Sequence, residues 1–144
     1  MIEQDTIRLL RECDAGIKMG ISSIYDVLNK VESQKLYTIL EKNKGQHEKL
    51  QGEIQSLLGK YHDEGKSPNP MASAMSKMKT GMKMAMDYSD ATIANLMTDG
   101  CNMGVKSLNK YLNQYEAADE RSKDIAKKLI AAESDLSIAL RDWL

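Results

Sequence analysis

The chain has 144 residues, 42% hydrophobic and 28% charged, with 20 basic side chains against 21 acidic ones. That is enough apolar material for one core of its own, and it excludes an intrinsically disordered chain. Nothing in the even charge balance favours nucleic acid, where a basic patch would be expected, and no nucleic-acid partner is expected.

The stretch MIEQDTIRLL has neither a basic start nor a long apolar run, so no signal peptide is expected, and no apolar run approaches the ~18 residues of a membrane span. A cytoplasmic protein without a membrane segment is therefore expected. Two cysteines, Cys13 and Cys101, make no disulfide framework; both stand among apolar neighbours and read as buried, reduced thiols. With ten Met, one Trp and no Phe, the core should be aliphatic and filled by methionine.

The first helix is expected to start at a cap on Asp5 or Thr6. Its seam runs Ile7, Leu10, Asp14, Ile17, Ile21, Ile24, Leu28, Val31, the three–four alternation of a packed bundle with one carboxylate intruding. A turn falls at 29–33. The second seam runs Leu36, Leu40, Asn43, His47, Leu50, Ile54, Leu57, Tyr61, with Asn43 and His47 as polar intruders.

Residues 59–70 hold both prolines, two of the glycines and His62, and break the pattern. His62 with Asp63 and Glu64 could form a surface metal site, but a solvated loop histidine is the reading preferred. Asn69-Pro70 has the form of a helix start. The segment after it carries Met71, Met75, Met78 and Met82 on one helical face. That stripe suits packing or a protein interface, a second copy of the chain included, better than thioether ligation of copper or haem.

A third helix is expected from about Ser89 to Tyr115, a turn at 116–121, and a last helix with the seam Ala126, Leu129, Glu133, Leu136, Leu140, Trp143. The opening stretch CDAGIKMGISSIYDVL (13–28) recurs in relaxed form as MTDGCNMGVKSLNKYL (97–112). Gly16 falls on Gly100, Met19-Gly20 on Met103-Gly104, and Ser23 on Ser107. An internal duplication follows: hairpin 5–61, crossover 62–88 with a short Met-rich helix, hairpin 89–144, all in one domain over 1–144. Glycine inside a helix costs ~1 kcal/mol against alanine. The pairs Gly16/Gly20 and Gly100/Gly104 therefore ask for a packing reason, and a close antiparallel crossing of helices one and three would supply it.

The all-α pattern, on Leu9-x-x-x-Cys13-x-x-Gly16, the QHEKL text of Gln46–Leu50 and the Asp99–Tyr115 copy, resembles the ferritin-like superfamily. More narrowly it resembles the small bacterial ferritin-like proteins of unassigned function. The resemblance implies an up-down-down-up four-helix bundle with a long crossover.

Metal-bearing members carry a Glu on helices one and three and Glu-x-x-His on helices two and four. Position by position, this chain offers Asp14, Asp99 (with Thr98 at the strict offset), Lys44-x-x-His47 and Ile130-x-x-Glu133. Asp14, His47, Asp99 and Glu133 are thus the candidate metal ligands, for iron or another divalent ion. The preferred reading is a structural polar layer instead, with Asp14 level with His47 and paired to it or to Lys44. No serine elbow, cysteine–histidine motif or phosphate loop is legible. The expectation is a non-enzymatic structural or interaction protein with an incomplete di-iron site and no cofactor. The alternative is a metal-binding protein of metal handling or oxidative-stress response.

Overall fold

A computed structural model describes residues 2–67 and 89–144. Among them are four α-helices and no strand: α1 (Ile2–Leu28), α2 (Gln34–Lys60), α3 (Asp90–Gln114) and α4 (Glu120–Ala139), the last continued by a 3-10 turn over Leu140–Trp143. No helix among these residues is long and apolar enough to cross a membrane. The Met-rich helix expected over 71–82 lies outside the described residues.

Three helices open on side-chain caps, which satisfy amides that have no partner within the helix. The Ser33 hydroxyl accepts from Leu36 N, Ser89 from Thr92 N, and the Asp119 carboxylate from Ser122 N. Helix α1 starts earlier than its expected cap, and this frees Asp5 and Thr6 for tertiary work. Asp5 Oδ2 accepts from Ala117 N at 3.1 Å, and Thr6 Oγ1 from Asp119 N at 2.8 Å. These bonds hold the α3–α4 turn against the start of α1. Reciprocally, the Asp90 carboxylate accepts from Glu32 N and Ser33 N, both at 2.9 Å, and holds the α1–α2 turn against the start of α3.

Helix α2 closes on a Schellman motif. Asp63 N donates to Leu58 O at 3.0 Å and His62 N to Gly59 O at 3.1 Å, with His62 in the left-handed region at φ 56°. His62, weighed from sequence as a surface metal ligand, therefore occupies the helix-terminating position that glycine usually fills.

The seams read from sequence face inward. Leu36, Leu40, Asn43, His47, Leu50, Ile54 and Leu57 are all buried along α2. The core divides into two apolar clusters. One gathers Leu9, Leu10, Ile17, Leu50, Ile54, Leu108 and Leu129 with their neighbours. The other gathers Ile24, Val27, Leu36, Leu40, Ile93, Met97, Leu136 and Leu140 with theirs. The division falls at one level in all four helices: between Ile17 and Ile24, Leu40 and Leu50, Cys101 and Leu108, and Leu129 and Leu136.

Candidate functional site: a polar layer at mid-bundle

At the level where the two clusters part, α2 presents His47 and α4 presents Glu133. His47 Nε2 lies 2.8 Å from Glu133 Oε1, and His47 Nδ1 lies 2.9 Å from the backbone oxygen of Asn43, one turn back on the same helix. Both ring nitrogens thus face acceptors, an arrangement that a doubly protonated ring satisfies in full. Burial opposes that charge. The Glu133 carboxylate and the Asn43 carbonyl together outweigh it, and His47 titrates above its ordinary value of 6.5. His47 is 1% exposed and Glu133 13%, so the pair is shielded from water and weakly screened.

The other two helices make room for it. A Cβ on Gly20 would stand 3.0 Å from His47 Cδ2 and Nε2, and one on Gly104 would stand 3.4 Å from Glu133 Cδ. The second glycine of each repeated pair therefore backs one member of the ion pair. Gly16 and Gly100 face open space, which corrects the expectation that all four glycines serve a close crossing of α1 and α3.

Cys101 of α3 is buried beside Glu133 at this level. Burial first, and then the neighbouring carboxylate, push its thiol far up. Cys13 is likewise pushed up to about 12 by burial, Glu12 and Asp14. A thiol held protonated is a poor nucleophile. Asn43 completes the layer by donating from Nδ2 to Ala132 O of α4 at 3.0 Å.

Of the four candidate ligands, the structure brings together His47 and Glu133 and separates the rest. Asp14 is fully buried elsewhere. Its Oδ2 takes Lys18 Nζ at 2.8 Å and the Lys66 backbone amide at 3.1 Å. It pairs with neither His47 nor Lys44, which instead reaches Glu48 at 3.6 Å and lies over the Tyr25 ring.

The register explains this. Gly20, not Asp14, stands level with His47, because the connection at 29–33 carries the chain past the end of α1 before α2 begins. Six residues of helix separate the two levels, roughly 9 Å. Asp99 is exposed on α3. Among the described residues no group of three or more His, Cys, Asp or Glu side chains is arranged to hold a metal ion. A di-iron centre needs carboxylates from α1 and α3 at the level of the histidine. Those helices bear Gly20 and Gly104 there, so the donor set does not fit.

Sequence reasoning missed Cys101 as a member of the layer. Its signal was present in the spacing: Cys101 and Gly104 are three apart, one turn of one helical face. Compared with protein-family models, curated proteins and solved structures, the chain matches none.

Proposed function

We propose that the protein is a ferritin-like, up-down-down-up helical bundle without a complete di-iron site, working without catalysis as a structural or interaction protein. The reciprocal turn docking supports the topology: Asp90 holds the α1–α2 turn, while Asp5 and Thr6 hold the α3–α4 turn. Such docking is what an α1 antiparallel to α3 requires. The placement of Gly20 on His47 and Gly104 on Glu133 supports descent of the two hairpins from one.

One observation carries the functional reading. The mid-bundle pair is closed on itself, with each His47 nitrogen already bonded to a protein acceptor. A buried ion pair of this kind fixes helix register, a role polar residues in helical seams play.

Elemental analysis of protein purified without a histidine tag tests the reading. The expected result is folded protein with far less than one iron, zinc or manganese per chain. Stoichiometric metal that disappears in His47→Ala overturns it and favours metal handling. Light scattering on the same material separates self-association from a monomer that works through another partner.

A further inference from the structure

Between the end of α2 and residue 67 the chain folds back over α1 with no apolar side chain of its own beyond Tyr61; residues 62–67 read HDEGKS. Two left-handed residues, His62 at φ 56° and Gly65 at φ 89°, turn it there. Four polar ties then hold it. Asp63 lies 3.8 Å from Arg11, and Lys66 Nζ bonds Glu12 at 2.5 Å. Lys66 N donates to Asp14 Oδ2 at 3.1 Å, and Lys66 O accepts from Lys18 Nζ at 3.4 Å. Asp63 Oδ1 also accepts from Gly65 N at 2.8 Å, which sets the turn.

The fit against Asp14 is close. A Cβ on Gly65 would stand 2.3 Å from Asp14 Oδ2. Beneath the segment Asp14 is fully buried, with its Oδ1 lacking a hydrogen-bond partner. The helices are held by apolar burial; this segment is held by charges, with Tyr61 its one side chain packed on the core, and it carries a histidine in a conformation that costs free energy. Regions with few apolar contacts open at lower free energy than the core.

We propose that residues 61–67 form an electrostatically latched strap that opens as a unit while the bundle stays folded, uncovering the Asp14 carboxylate and Lys18. The latch is the set of carboxylates on one stretch of α1, with Glu12 gripping the Lys66 ammonium and Asp14 its backbone amide. Salt weakens the outer ties more than the buried one.

Hydrogen exchange of the full chain, read on peptides covering 61–67 and on helix peptides, tests this. The strap should be protected in low salt, exchange faster than α2, and accelerate in 1 M salt while the helices change little. In Gly65→Ala, whose Cβ collides with Asp14, strap exchange should rise on the order of tenfold with the helix signal kept. Should that variant fail to fold, Glu12→Gln, which removes the partner of the Lys66 ammonium, is read in the same way. Strap exchange equal to that of α2, or unchanged by both salt and variant, overturns the proposal.

Discussion

Two buried ionic sites, Asp14 under the 61–67 segment and His47–Glu133 at mid-bundle, arise from the same kind of sequence event: a polar residue in an apolar seam. They are resolved in opposite ways. His47 finds its partner across the bundle, 86 positions away, between two apolar clusters. Asp14 finds Lys18 one turn along its own helix and the backbone of a loop. A buried charge must be paired, but pairing that spans helices fixes register, whereas pairing within one helix and a loop fixes only the loop. Burial and charge do not by themselves make a polar residue an organiser of the fold.

The sharpest way to break that contrast is to remove one member of each site. His47→Leu leaves the Glu133 carboxylate facing an apolar side chain and should lower stability by about 3 kcal/mol, with urea unfolding as the measurement. Asp14→Ala should cost less, about 1–2 kcal/mol, because Lys18 is 31% exposed in its side chain and turns to water. Equal losses would erase the distinction.

Gly20→Ala should cost about 1 kcal/mol or more, since the His47 ring must give way within a packed layer. A gain of stability there would show that the ring has slack.

The mid-bundle pair should also carry a pH signature. The folded pKa of His47 is raised above 6.5. The stabilisation from the pair is therefore fully present below the unfolded value and lost as pH rises through the folded one. Unfolding free energy measured on the alkaline side should fall as His47 loses its proton. Glu133→Gln, whose amide can donate to a neutral ring, should flatten that fall.

The smallest effect is expected at Gly16. Its Cβ would meet nothing within 4 Å, so Gly16→Ala should stabilise by about 0.5–1 kcal/mol through helix propensity alone. A melting temperature that drops in Gly16→Ala would restore the close helix crossing that the glycine pairs first implied.

Much of this was legible in the residues. The seams, the turns and the inward polar positions Asn43, His47 and Glu133 follow from three–four spacing, because a helix repeats its face at that period whatever surrounds it. The pairing of Asp14 was not legible. It depends on how far the 29–33 connection carries the chain before α2 starts, and on Gly65 folding back over α1. Neither follows from a periodicity.

Over the described residues the linear chain by itself determined that four amphipathic helices form and which side of each is apolar, since propensity, caps and spacing act within a few residues. Tertiary structure decided which polar residue meets which. A contact across the bundle is set by the relative sliding of helices, and that sliding is fixed only when the two apolar clusters close around the His47–Glu133 layer.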